Sequence, residues 1–266
     1  MSKQKRPWVS CFAKPVVGKP DVPRYTPLMS RNFLLLQARD PGDRMAPHEH
    51  DCFARTLNVP LDAIAIHSLL EGAPSPAVLE QVDAILVGGS GDYSVLGDEP
   101  FIRTFLTFLE QVVVGQKFPT FASCFGFQGL VLAGGGDVVC DKEGAEVGTF
   151  ELHLTDAGRT DPLMAEVGSV FYAQLGHKDR ADRLPAGMIN LAYSEKTPYQ
   201  ALRIDGAPVF ATQFHPELTR EDNAMRYRTY WESYGTHLQA EDPVLSTLRE
   251  SPETSALLPR WAAGLT

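Results

Sequence analysis

The sequence predicts an α/β protein with three layers: a central, mostly parallel sheet, helices on both faces, and a small antiparallel part in the second half. Three observations lead there. Short, wholly apolar runs recur through the first half without polar alternation, the pattern of strands buried on both faces. Helical stretches long enough for crossovers separate those runs. Beyond about residue 149, strand-like segments follow one another with little helix between them, and Asp205-Gly206 is a hairpin signal.

Residues 1 to about 30, rich in Pro, Lys and Gly, read as an N-terminal arm, 31–240 as one domain and 241–266 as a C-terminal extension. Phe33-Leu34-Leu35-Leu36-Gln37, followed by Asp40-Pro41-Gly42-Asp43, has the form of a buried strand ending in a loop. Segments 63–66 and 84–87 have the same form, with helical stretches over roughly 48–57 and 76–82 between the strands. Phe101, Phe105, Phe108, Leu109 and Val112 recur at helical spacing, which predicts an amphipathic helix over 99–114. Thr120 to Ser123 returns as a strand, and 126–133 is a helix stopped by Gly134-Gly135-Gly136. Strands at 149–154, 170–175, 189–194, 200–204 and 208–213, then a helix over about 221–234, complete the reading.

Of the 266 residues, 44% are hydrophobic and 21% charged, enough apolar material for a sizeable core. The formal net charge of −9 disfavours a nucleic-acid backbone or an anionic membrane as partner. Cys11, Cys52, Cys124 and Cys140 show no CxxC spacing, which fits reduced thiols and a cytoplasmic setting. Early positive charges at Lys3, Lys5 and Arg6 lead into a stretch broken by Lys14, Pro15, Lys19 and Pro20, so no signal-peptide core forms. No run reaches the roughly 18 apolar residues of a membrane helix.

Three segments carry chemistry. In Pro119-Thr120-Phe121-Ala122-Ser123-Cys124-Phe125-Gly126-Phe127-Gln128-Gly129 a strand turns into a helix at a cysteine. A thiol there meets unpaired N–H groups and the positive end of the helix dipole. Such settings lower a cysteine pKa from about 8.5 to roughly 3.5–7.5, and the Phe125 amide would face an oxyanion formed over the sulfur. Alone, the segment also fits a buried, inert cysteine. Val209-Phe210-Ala211-Thr212-Gln213-Phe214-His215-Pro216-Glu217 ends a strand with an imidazole and a carboxylate two positions apart. A catalytic thiol needs such a base, and the base needs an orienting acceptor. Pro216 keeps the loop extended, which would put side chains 215 and 217 on one side. Alone, His-Pro-Glu also fits an ordinary polar loop. Val87-Gly88-Gly89-Ser90-Gly91-Asp92-Tyr93-Ser94 is a glycine-rich turn after a strand that matches neither phosphate-binding pattern. It offers backbone N–H groups, and Gly89 would be a second oxyanion donor.

In this order the three segments resemble the class I, or triad, glutamine amidotransferases, over about residues 33–220. The chain looks most like the amidotransferase domain of GMP synthetases and its free-standing relatives. The resemblance implies a flavodoxin-like fold, a nucleophile at Cys124, a base at His215 and an orienting acid at Glu217. It also implies oxyanion amides at Gly89 and Phe125, a glutamine contact at Gln128, and further substrate contacts at Gly88, Ser90 and His177. His177, with Asp179 and Leu184-Pro185-Ala186-Gly187 after it, matches a segment bordering the family's active site, though by itself it also reads as a surface loop residue. Ala122 and Phe127 stand where the family usually has Gly and often has His.

The implied activity is glutaminase chemistry through a cysteine thioester, releasing ammonia for an acceptor, with no metal or organic cofactor. No ATP loop is present and no room is left for a synthetase module beyond about residue 235, so a separate ATP-dependent synthetase subunit is the expected partner. The alternative is a free-standing γ-glutamyl peptidase or hydrolase. His48-Glu49-His50-Asp51 resembles a metal cluster, but adjacent residues at a helix start rarely converge on one ion. Arg226, Tyr227, Arg228, Tyr230 and Trp231 fit a partly packed terminal helix better than a nucleic-acid platform.

Overall fold

The computed structural model describes residues 31–230 and 243–265. In chain order the elements are β1 (Phe33–Gln37), α1 (Met45–Leu57), β2 (Ile64–Ser68), α2 (Pro76–Leu79), β3 (Ala84–Val87) and α3 (Pro100–Phe108). They continue with β4 (Thr120–Ser123), α4 (Phe125–Ala133), β5 (Asp137–Cys140), β6 (Glu146–Leu154), α5 (Asp156–Thr160) and β7 (Val170–His177). The rest are β8 (Asp179–Arg183), β9 (Met188–Tyr193), β10 (Ala201–Ile204), β11 (Val209–Thr212), α6 (Arg220–Tyr230), α7 (Pro243–Thr247), α8 (Pro252–Ser255) and α9 (Leu257–Ala263).

One nine-stranded sheet runs β2-β1-β3-β4-β11-β10-β9-β6-β7. From β2 to β11 every pairing is parallel, and from β11 to β7 every pairing is antiparallel. Strands β1, β3, β4 and β11 are buried at every position, the polar Gln37, Thr120, Ser123 and Thr212 at their ends included, as central strands covered on both faces are. At the edge, β2 leaves Ala65 and Ile66 exposed. The pleat divides β1 between two cores. Phe33 and Leu35 join Phe53 and Leu57 of α1 and Leu257, Leu258 and Trp261 of α9. Leu34 and Leu36 join Ile102 and Phe105 of α3 and Phe127 and Leu130 of α4. The predicted three-layer architecture is therefore present.

Several boundaries differ from the sequence reading for physical reasons. The helix expected over 99–114 holds α-helical geometry only through Phe108 and widens into a π-helix over Leu109–Gly115. Beside the main sheet, β5 and β8 form a two-stranded antiparallel ribbon that the sequence reading did not identify. The stretch read as a C-terminal extension supplies core: Trp261 packs edge-on against Phe121 at 5.5 Å between ring centroids and donates Nε1–H to the Pro208 carbonyl at 3.2 Å. The N-terminal arm, Cys11, and residues 231–234 of the last predicted helix, Trp231 included, lie outside the described residues. Among the described residues no helix is long and apolar enough to cross a membrane.

Candidate active site

Three adjacent parallel strands end at one edge of the sheet. Val87 of β3 pairs with Ala122 of β4, and Ser123 of β4 pairs with Thr212 of β11. The residues that follow, Gly88-Gly89, Cys124 and Gln213 to Glu217, therefore gather at the C-terminal edge, where open α/β sheets place ligands. Cys124 makes the turn from β4 into α4 with φ 49° and ψ −98°, a positive φ that costs a non-glycine residue of order 1–3 kcal/mol. Its N–H is fixed by the Thr212 carbonyl at 2.8 Å. On the helix side, a Cβ at Gly126 would lie 2.7 Å from the Val87 side chain and 3.0 Å from that of Ala122, so only small residues let α4 start this close to the sheet. Ala122 fits that space.

The loop after β11 brings His215 and Glu217 together, but not by staying extended. Leu218 donates its N–H to the His215 carbonyl at 3.2 Å, closing a turn with Pro216 inside it. Proline presets φ for that position of a turn, and the turn folds Glu217 back under the ring, so that His215 Nδ1 lies 2.7 Å from Glu217 Oε1. With Nδ1–H given to the carboxylate, Nε2 is the acceptor. Glu217 is fully buried. Ser123 donates Oγ–H to its Oε2 at 3.2 Å, and Arg226 Nη1 stands 3.4 Å from both its Oε1 and His215 Nδ1. Burial alone would raise this carboxyl, but the charge and hydrogen bond of His215, with Arg226 behind it, hold Glu217 down to about 2.

Burial reverses the expectation for the thiol. Desolvation, then the charges of Glu217 and Asp179, push Cys124 up to about 12 against Arg226 and the Phe125 amide, so the resting sulfur carries its proton. The helix N-terminus contributes as anticipated, through the Phe125 N–H, but two carboxylates and burial outweigh it. Gln213 Nε2 is 3.6 Å from Sγ and supplies the sulfur's side-chain hydrogen bond, which does not come from His215. In the unliganded protein, alkylation of Cys124 by iodoacetamide should therefore keep accelerating as pH rises from 7 to 10, about tenfold per unit, instead of levelling near neutrality. A plateau below pH 8, read by mass spectrometry of the Cys124 peptide, overturns this.

Of the other anticipated site residues, Ser90, Phe125, Gln128 and His177 line a single cavity with Cys124. His177 is buried at the end of β7 and not on a surface loop, with Nδ1 3.1 Å from the Asp179 carbonyl and Nε2 3.3 Å from Glu146 Oε2. Gln128 donates Nε2–H to the Asp179 carbonyl at 2.7 Å and lies 3.3 Å from Gln213 Oε1, so it orients the amide that meets the sulfur. Ser90 Oγ bridges the Ala38 carbonyl and the Tyr93 N–H. Two more are engaged elsewhere at rest. Gly88, anticipated at the substrate, donates to the Leu36 carbonyl and faces Glu49, where a Cβ would meet the carboxyl at 2.5 Å. Gly89, anticipated as an oxyanion donor, gives its N–H to Glu49 Oε1 at 3.2 Å. A buried carboxylate is the stronger acceptor, and it has claimed the amide.

Glu49, Gln213 and Arg226 were not assigned site roles from sequence. Glu49 sat inside the metal-like His48-Glu49-His50-Asp51 run, whose members diverge: His48 turns to Asp222, Glu49 to Arg39, and His50 to the Leu61 carbonyl. His48, Cys52 and Asp222 do cluster, but Asp222 is also paired with Arg55 at 2.5 Å. Tyr227 is buried and Tyr230 bonds Arg39 and Asp43, so the aromatic residues of α6 pack inward.

Comparison with known proteins identifies the family. The family described as glutamine amidotransferase class-I matches residues 55–230. The GMP synthase of Thermosipho africanus is 31% identical over 136 residues, 51% of this chain and 24% of that protein. One subunit of the glutamine-hydrolysing GMP synthase of Methanocaldococcus jannaschii is 29% identical over 111 residues, 42% of this chain and 57% of that protein. The chain thus spans about a quarter of the length of the first of these relatives. Among solved structures, a glutamine amidotransferase from Thermotoga maritima superposes with a TM-score of 0.63 at 20% identity, covering 88% of this chain and 96% of that one. One from Methylobacillus flagellatus superposes with a TM-score of 0.58 at 22% identity, covering 88% and 92%. The sheet order, the cysteine turn and a family match across most of the described residues lead to one conclusion: this chain belongs to the class I glutamine amidotransferase family.

Proposed function

We propose that the protein hydrolyses the side-chain amide of glutamine through a thioester on Cys124 and delivers ammonia to a separate ATP-dependent synthetase. The observation that carries this reading is the positive-φ turn of Cys124 at the end of β4, beside the strand that ends in the buried 2.7 Å His215–Glu217 pair. The sulfur attacks the γ-carbonyl carbon and its proton passes to His215 Nε2. Because the thiol is neutral at rest, proton transfer accompanies attack instead of preceding it. The Phe125 N–H, already directed at the sulfur, stabilises the tetrahedral oxyanion. His215 then protonates the departing nitrogen as the C–N bond breaks, leaving ammonia and the γ-glutamyl thioester. Water, deprotonated by the same imidazole, attacks the thioester and releases glutamate and the thiol. Glu217 keeps the ring in the tautomer that can accept. Gln128, Ser90 and His177 supply walls of the substrate cavity. The M. jannaschii relative is named as one subunit of its GMP synthase, which supports a two-chain arrangement.

The test is turnover of glutamine beside a panel of γ-glutamyl amides and peptides by purified protein, with and without candidate synthetase subunits. Ammonia release from glutamine, raised by a synthetase, supports the reading. Fast cleavage of γ-glutamyl peptides with poor glutaminase activity replaces it with a γ-glutamyl hydrolase. Failure of both substrate classes to turn over or to acylate Cys124 ends both.

A further inference from the structure

Both backbone polar groups of Gly89 are held by one buried ion pair. Its N–H donates to Glu49 Oε1 at 3.2 Å, and its carbonyl accepts from Arg39 Nη2 at 3.4 Å. Glu49 is fully buried and gripped by the Arg39 fork, Nε to Oε2 at 3.0 Å and Nη2 to Oε1 at 2.8 Å, with Gln37 Nε2 also 3.0 Å from Oε2. On the side of the catalytic pair, Arg226 Nη2 stands 3.6 Å from Glu49 Oε1 while its Nη1 stands 3.4 Å from Glu217 Oε1. The glycine turn and the His215–Glu217 pair therefore sit on one charge network. The turn is threaded tightly through it: a Cβ at Gly88 would lie 2.5 Å from the Glu49 carboxyl, and one at Gly89 would lie 2.7 Å from His215 Cε1. Glycine at both positions leaves the peptide free to rotate between those neighbours without dragging a side chain.

We propose that Glu49 is a positioning residue of the Cys124 site, whose carboxylate holds the Gly89 N–H at rest and competes for it with the oxyanion that forms over the sulfur. The proposal rests on the glutaminase reading above. A neutral substrate carbonyl is a weaker acceptor than a carboxylate and does not displace Glu49, whereas the oxyanion carries comparable charge. The competition therefore falls on the transition state and moves kcat, leaving KM nearly unchanged.

Glu49→Gln keeps the shape of the side chain and an oxygen for Arg39 while removing the charge. Its expected effect is a rise in kcat for glutamine of about three- to tenfold with KM within about twofold. Glu49→Asp, which keeps the charge but draws the carboxylate back from the Gly89 N–H, should move kcat in the same direction and serves if the first variant does not fold. Amide hydrogen exchange at Gly89 gives a readout independent of turnover, and it should be at least about tenfold faster in either variant. A fall in kcat, a change confined to KM, or unaltered exchange at Gly89 overturns the proposal. If neither wild type nor variant hydrolyses glutamine while Gly89 exchange still accelerates, the glutaminase reading fails and Glu49's hold on the amide stands; competition with an oxyanion then falls with that reading.

Discussion

Cys124→Ala and Cys124→Gly are both expected to lose glutamine turnover by at least about 10⁴-fold, because among the described residues no other group lining the cavity can form a thioester. The two variants should part in stability. At φ 49° and ψ −98° a Cβ is strained, and alanine retains that strain whereas glycine removes it. Glycine also gives up more unfolded-chain entropy, worth about 0.5–1 kcal/mol, which opposes the relief of about 1–3 kcal/mol. The glycine variant should therefore be the more stable by about 1 kcal/mol, measured as a shift of the urea midpoint at constant slope. An alanine variant equal to or more stable than the glycine variant would show that the turn stores no strain for the nucleophile. With the expected order, the wild-type protein carries a backbone conformation that costs stability and is retained for the position it gives the sulfur at the start of α4.

That turn was legible in the sequence because everything that makes it is local. A buried apolar strand, small residues at 122, 123 and 126, and a helix pattern after 124 lie within a dozen positions. The same locality exposed β1, β3 and β11, whose unbroken apolar runs follow from burial on both faces. Strand β8 was illegible for the opposite reason. Asp179-Arg180-Ala181-Asp182-Arg183 buries only Asp179 and Ala181, and its pairing with β5 is held partly by Arg180–Asp141 and Arg183–Asp137 ion pairs. Charge of that kind reads as loop until the partner strand is known.

The site divides in the same way. Spacing singles out Cys124 and the His215–Glu217 pair as the proposed site, although the turn at Pro216 and not extension is what joins the last two. Glu49 did not, because its meaning lies in Gly89, 40 positions away, and in Arg226 on the last helix before the undescribed segment. The thiol shows the limit most clearly. Sequence places it at a helix N-terminus and so predicts a low pKa, yet the opposing burial and the carboxylates of Glu217 and Asp179 come from other parts of the chain. Long-range electrostatics can reverse a local trend, and only the fold reveals the sign.

Glu217→Gln should reduce kcat by about 10³–10⁴-fold while leaving Cys124 in place. An amide that turns its NH₂ toward Nδ1 forces the proton onto Nε2, and the imidazole can no longer take the proton from the thiol. The same substitution should alter acid stability in a defined window. Glu217 titrates at about 2 in the folded protein, below the ordinary carboxylate value near 4.3. Its contribution to stability is therefore complete above about pH 4.5 and is lost as pH falls toward 2, a loss of at most about 3 kcal/mol. The glutamine variant has no such group, so the stability gap between it and the wild type, measured by denaturant unfolding, should narrow on going from pH 7 to pH 3. Arg226 sharpens the comparison. In the variant its guanidinium keeps Glu49 at 3.6 Å but loses the charge of Glu217, so part of the cost at pH 7 is an under-compensated buried cation. A gap that stays constant with pH would mean that Glu217 is not held ionised by its partners. A kcat loss under tenfold would remove it from the orienting role and leave His215 to be fixed by Arg226 and by its backbone bonds to Gln174 and Leu218.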